Sequence, residues 1–328
     1  MSYLSGESKR QITWKLLTKS LPKKAKEPGL YGSRLHAVCL PIDWAHHNLY
    51  PGIRSEIIET FSRERIVFHG SALPGMPSNH LCSSQVMAIN IFAIFEQQPE
   101  VLKAYLLPFI PDIAGFVSFP SGRYVEFEWI GAVNYLGEKG HIRGTRMRGA
   151  GNTSIDVALQ YQATDGRKIL VLLEQKWTET YSSTFLRFRS DGTDRAETYA
   201  PFFFADHSPM NLDRCHSLDA FLYEPHYQML RQQLLAQEIL VQKEEPYDYV
   251  RVVQVYARAN RALRYVTSPR LRLFGEDTYE VWRTLIKDQD SFVTIAIEDL
   301  LKNPVERHFP DLIPWRQYLR ERYRGIAD

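Results

Sequence analysis

The sequence predicts an α/β fold of the α+β kind: a central mixed sheet of four to five strands, flanked by helices, with additions at both termini. Three observations carry this. Residues 153–177 alternate, turn and then run apolar, as two long strands of a hairpin do. Two more stretches, RYVEFEWI at 123–130 and YVRVVQVYA at 249–257, also read as strands. Between them, residues 225–243 repeat Tyr227, Leu230, Leu234, Leu235 and Ile239 at the spacing of an amphipathic helix.

Composition sets the bounds. The chain has 328 residues, 44% hydrophobic and 12% aromatic, enough for a substantial core. Mean hydropathy is −0.32, and no apolar run approaches a membrane span. The polar, basic N-terminus lacks the apolar region of a secretory signal. Cys39, Cys82 and Cys215 are odd in number and scattered, as expected of a reduced, cytoplasmic protein without a zinc ribbon. A net charge of +2 does not diagnose nucleic-acid binding, so any basic surface must be local.

In chain order, residues 1–77 read as a basic arm and extension. The arm carries Lys9, Arg10, Lys15, Lys19, Lys23, Lys24, Lys26 and Arg34 and is expected to be largely solvated. Ile12, Trp14, Leu16 and Leu17 suggest that part of it docks as a short helix. His46 and His47 are adjacent, which is not a metal-ligand spacing on a helix. Residues 78–107 read as a helix capped by Ser83 or Ser84, with Gln85 and Asn90 polar on an apolar face and Glu96 near its end. Residues 111–122 read as a loop. In the strand 123–130, Glu126 and Glu128 share a face. Residues 131–151 are Gly-rich and basic, and Arg143, Arg146 and Arg148 suit contact with a phosphate backbone. Residues 178–217 are long and irregular. The helix 225–243 carries Gln228, Arg231 and Gln232 in its first two turns, suited to phosphate or base contact or to a solvated face. Residues 261–328 form an addition of helices and a short strand, whose Arg316, Arg320, Arg322 and Arg324 read as a solvated face.

The hairpin carries the chemistry. In 153–162, Ile155, Val157, Leu159 and Tyr161 alternate with Ser154, Asp156, Ala158 and Gln160. Residues 168–177 begin as ILVLL, as in a strand covered on both faces, and end in Glu174, Gln175 and Lys176. Charges at the end of a buried strand are costly without partners. Glu174 and Lys176 share a face, and the turn decides what they meet. A two-residue Asp165-Gly166 loop sets residue 156 opposite 175. A three-residue Thr164-Asp165-Gly166 loop, with Gly166 left-handed, sets 156 opposite 174. Asp156, Glu174 and Lys176 then converge. Opposed Cβ atoms are about 5 Å apart, so the two carboxylates repel unless a cation lies between them, and a hard divalent ion suits such oxygens.

An Asp, a hairpin, then Glu174-Gln175-Lys176 resembles the PD-(D/E)xK nuclease superfamily, which includes many restriction endonucleases. Ile155 stands where many members carry Pro, and the motif alone is loose, since Glu7-Ser8-Lys9 also fits it. The resemblance covers about residues 84–257. It implies a restriction-endonuclease-like core at 78–260, built as helix, three strands, helix, strand. It implies that Asp156 and Glu174 bind Mg²⁺, with Mn²⁺ as a substitute, joined by the Gln175 backbone carbonyl. Lys176 would act on the attacking water. Glu128, Gln85, Gln228 and Gln232 become secondary candidates near the site. DNA is the implied partner, with RNA left open, and Arg143, Arg146, Arg148 and Arg231 are candidates to contact it. A homodimer is compatible with this, and protein partners are unknown. The implied activity is phosphodiester hydrolysis in restriction, repair or anti-phage defence. The alternative is a catalytically silent nucleic-acid-binding or scaffold domain of the same fold.

Overall fold

The chain opens with α1 (Tyr3–Leu17), whose first turn is capped by the Ser2 side chain, which accepts from the Ser5 N–H at 3.2 Å. This is a computed structural model that describes residues 2–138, 146–149, 151–190, 192–243 and 245–326. A small hairpin, β1 (Gly29–Tyr31) and β2 (Arg34–His36), precedes α2 (Arg54–Arg63). Then come α3 (Ser84–Phe92) and α4 (Pro99–Leu106), the short strands β3 (Ile113–Phe116) and β4 (Glu126–Trp129), and the long strands β5 (Ile155–Ala163) and β6 (Lys168–Lys176). The second half holds α5 (Arg195–Phe203), α6 (His226–Gln242), β7 (Tyr249–Tyr256), α7 (Thr278–Leu285), β8 (Phe292–Ala296), α8 (Ile297–Lys302) and α9 (Ile313–Arg322).

Six strands form one mixed sheet in the order β3-β5-β6-β7-β8, with β4 also paired to β5. Strand β5 runs antiparallel to β3, β4 and β6, whereas β6, β7 and β8 are mutually parallel. The parallel connections need crossovers, which α5 and α6 supply between β6 and β7, and α7 between β7 and β8. Helices cover both faces, so β6 is buried from Ile169 to Gln175, as its apolar run requires. Val157, Leu159, Val171 and Leu173 face a core shared with α3, α4 and α9, while Ala158, Leu170 and Leu172 face one shared with α6 and α7.

The hairpin has the three-residue turn. Val157 pairs with Leu173 and Gln162 with Lys168, so residue 156 stands level with 174. The turn closes through Ala163 N–H to Arg167 O at 2.8 Å and Gly166 N–H to Ala163 O at 3.0 Å. Gly166 sits at φ +90°, where a side chain is strained.

Several elements differ from the sequence expectation. The helix expected over 78–107 is two, because Pro99 has no N–H to continue a ladder and begins α4 instead. The expected loop 111–122 contains β3, four residues with an irregular register against β5, too short to show alternation. The irregular stretch 178–217 contains α5, capped by Asp194, whose carboxylate accepts from the Ala196 N–H at 2.8 Å. The N-terminal arm is a docked helix rather than a solvated tail. Trp14 is buried and meets Tyr318 edge-on at 6.0 Å. Lys15 is also buried, its ammonium donating to the Glu27 and Cys39 carbonyls at 3.1 and 3.0 Å. Of the C-terminal arginines, Arg316 and Arg322 are buried, and Arg322 donates to the Asn48 and Leu81 carbonyls and the Tyr318 hydroxyl. Among the described residues no helix is long and apolar enough to cross a membrane.

Replacing Gly166 with Val forces a β-branched residue to positive φ and is expected to cost about 1–2 kcal/mol. Urea denaturation measures this, and an unchanged midpoint would show that the turn relaxes freely.

Candidate active site

The turn parity brings Asp156, Glu174 and Lys176 onto one face at the end of β5 and β6. The Lys176 ammonium lies 2.7 Å from Glu174 Oε1. Asp156 Oδ2 accepts the Gln175 backbone N–H at 2.8 Å, which pins the aspartate to the end of β6. In a strand the N–H and C=O of one residue point to the same side, so the Gln175 carbonyl faces the same strand as Asp156. The Gln175 side chain points elsewhere and is buried.

Glu174 is held from α6. Its Oε1 accepts from the Gln228 amide and its Oε2 from the Gln232 amide, both at 2.7 Å. Gln232 is oriented in turn by the Gln254 amide of β7, at 2.8 Å to its carbonyl oxygen. The three-to-four-residue spacing of Gln228 and Gln232 puts them on one helix face, one above the other. Two neutral donors thus fix a buried carboxylate without cancelling its charge.

A second acid arrives from β4. Phe127 pairs with Val157 and Trp129 with Ile155, so Glu128 stands level with Asp156. Its backbone is at φ +49°, an uncommon conformation for a residue with a side chain. The Gln85 amide of α3 donates to Glu128 Oε1 at 2.6 Å, and His69 Nε2 lies 3.3 Å from the same oxygen. Gln85 also accepts the His69 backbone N–H at 2.8 Å. Gly149 packs against this group, with a Cβ there falling 3.1 Å from the Val67 carbonyl and 3.3 Å from Glu128 Oε2.

Burial pushes the Asp156 carboxyl well above the usual carboxylate range, and the charges of Glu174 and Glu128 push the same way against Lys176. For Lys176, burial acts downward. Glu174, Tyr181, Glu179 and Asp156 outweigh it and hold the ammonium well above its ordinary value. The hydrogen bond to Glu128 raises the His69 imidazole against burial. Asp156, Glu174 and Glu179 thus all act on the one lysine.

The remaining sequence candidates fall in other places. Arg143 lies outside the described residues. Arg146 and Arg148 turn inward instead of facing a phosphate backbone. Arg146 donates to the Ile130 and Gly131 carbonyls, which end β4, and Arg148 pairs with Glu64 and Glu126 at 2.6 and 2.7 Å. Glu126 and Glu96 belong to that ion-pair cluster through Arg123. Asn90 binds the Tyr50 N–H and Asn48 carbonyl, away from the acids. Arg231 lies over the Tyr227 ring at 4.9 Å. Sequence reasoning missed His69, Glu179, Tyr181 and Glu224. His69 sits in a loop with no periodic signal. Glu179 accepts the Trp177 N–H at 2.6 Å just past the strand, where an Glu-x-Lys pattern has already ended.

Among the described residues no group of three or more His, Cys, Asp or Glu is arranged to hold a metal ion. The fit is narrower: two carboxylates, Asp156 and Glu174, plus a backbone carbonyl. That set suits Mg²⁺, which uses one or two carboxylates and completes its shell with water and phosphate oxygens. The observation in favour is geometric: Asp156 stands level with Glu174 across the hairpin, and the Gln175 N–H holds it at the end of β6.

A family model described as Restriction Endonuclease associating with ARP matches residues 9–324, nearly the whole chain. The chain belongs to this family. Its mixed sheet flanked by helices accords with a restriction-endonuclease-like fold, and membership gives the chain a nuclease-related role. No curated protein and no solved structure matches the chain.

An aspartate whose folded pKa lies above its unfolded value of about 3.9 stabilises the fold below that pH, and the contribution is lost as pH rises through the folded value. In EDTA, Asp156→Asn is therefore expected to lose less stability than the wild type between pH 5 and pH 8. Equal pH slopes in thermal denaturation would show that Asp156 ionises at no cost.

Proposed function

We propose that this protein is a Mg²⁺-dependent nuclease of the PD-(D/E)xK type that hydrolyses phosphodiester bonds in DNA. The observation that carries the reading is the convergence of Asp156, Glu174 and Lys176 on one face, with the ammonium 2.7 Å from the glutamate. Asp156 and Glu174, with the Gln175 carbonyl, would hold the ion. Bound there, Mg²⁺ or Mn²⁺ supplies charge neutralisation at the phosphate and lowers the pKa of water.

The chain's own groups do the rest. The surrounding acids hold the Lys176 ammonium above its ordinary value, which suits a cationic donor. It stabilises the attacking hydroxide or a non-bridging phosphate oxygen. Gln228 and Gln232 hold Glu174 in one orientation. Glu128, braced by Gln85 and beside His69, adds negative potential at the far side of Asp156. Water attack on phosphorus forms one P–O bond and breaks the bond to the leaving sugar oxygen. The family description names an association with ARP, which supports a further partner in addition to DNA.

Lys176→Ala is expected to lower Mg²⁺-dependent cleavage by about 10²–10³-fold, the loss typical of one oxyanion donor, in a chain that still folds by circular dichroism. A DNA cleavage assay with an EDTA control measures this, and full activity in the variant would end the reading.

A further inference from the structure

A cavity of about 800 Å³ opens between α5, α6 and the turn that ends at Glu138. That volume suits a ligand of small-molecule size. Its walls include Glu138, Arg195, Tyr199, Phe202, Tyr227 and Arg231. It adjoins the carboxylates through α6. Arg231 lies three residues after Gln228 and one before Gln232, the two side chains that hold Glu174. The Glu224 carboxyl senses Arg231, Lys176 and Glu174 together, so cavity and centre share one electrostatic neighbourhood.

Arg231 is the anomaly. Its guanidinium rests on the Tyr227 ring, and its Nε is buried without a hydrogen-bond partner. Among the described residues it makes no ion pair, whereas Arg123, Arg148 and Arg251 each have a carboxylate within 2.7 Å. Glu138 makes no direct ion pair with it. That carboxylate is already taken by the Thr153 N–H at 2.5 Å, the Thr153 hydroxyl at 2.7 Å and the Tyr199 hydroxyl at 2.7 Å. Glu138 and Glu224 act on this guanidinium only at a distance, and its planar fork of donors, with no carboxylate in direct contact, matches a phosphate. Aromatic walls next to it match the π-face of a base.

We propose that this cavity binds one nucleotide of the substrate outside the base stack, with Arg231 on its phosphate. The link to cleavage rests on the nuclease reading, but the binding step does not. Calorimetry in EDTA, on the full chain, compares the four deoxynucleoside 5′-monophosphates, the matching nucleosides and inorganic phosphate. At least one nucleotide is expected to bind tenfold or more tightly than both its nucleoside and phosphate. Arg231→Gln should remove that preference and Arg231→Lys retain part of it, each with a melting curve like the wild type. A duplex carrying an internal 2-aminopurine, and one carrying it at a strand end, then tell an extruded nucleotide from a terminal one by which probe changes fluorescence. The proposal is overturned if nucleoside and nucleotide bind alike, if phosphate alone binds as well, or if both Arg231 variants bind as the wild type does. Those results would leave the Lys176 cleavage test untouched. A wild-type chain that binds the nucleotide but shows no Mg²⁺-dependent cleavage would instead overturn only the nuclease reading.

Discussion

One constraint governs the molecule: the parity of a turn. Side chains alternate along a strand, so a loop one residue shorter would turn Asp156 to the opposite face from Glu174. Gly166, free to take φ +90°, permits the three-residue loop that prevents this. The apolar residues of the same strands agree with the register, because Val157 and Leu159 then pack with Leu173 and Val171 in one core. Hydrophobic burial and site geometry are thus set by the same pairing, and neither can slip without the other.

Around that hairpin the protein gathers acids and holds them with neutral groups and one ammonium, Lys176. Gln228 and Gln232 grip Glu174, Gln85 grips Glu128, and a backbone N–H grips Asp156. An arginine in any of those places would have neutralised the acids. The fold does use arginines elsewhere for that purpose, as where Arg123 and Arg148 bind Glu64 and Glu126. One acidic cluster is closed by arginines, whereas the acids of the site are held by amides and a backbone N–H, with Lys176 against Glu174 and His69 against Glu128.

The termini show a different use of charge. Lys15 and Arg322 look from their sequence context like members of solvated basic stretches. Both are buried, and both satisfy backbone carbonyls that lie outside regular strands. They act as internal clamps joining the first and last helices to the loops beneath them. Likewise Arg146 closes the end of β4. Positive charge read along a chain does not reveal whether it will meet solvent, nucleic acid or a carbonyl.

Local pattern decided the long strands, the α6 helix and the Asp156, Glu174, Lys176 group, because period-two alternation, an apolar run and a Gly-containing turn are properties of adjacent residues. It also marked Gln85, Glu128, Gln228 and Gln232 as polar residues on or beside apolar elements. It was blind to His69, Glu224 and the orphaned state of Arg231, and it misjudged β3 and the arm. Those depend on which distant segments meet: His69 on Glu128, α1 on α9, and α6 on the turn at Glu138. Contacts between residues far apart in the chain are set by packing of the whole core, which no window of sequence contains.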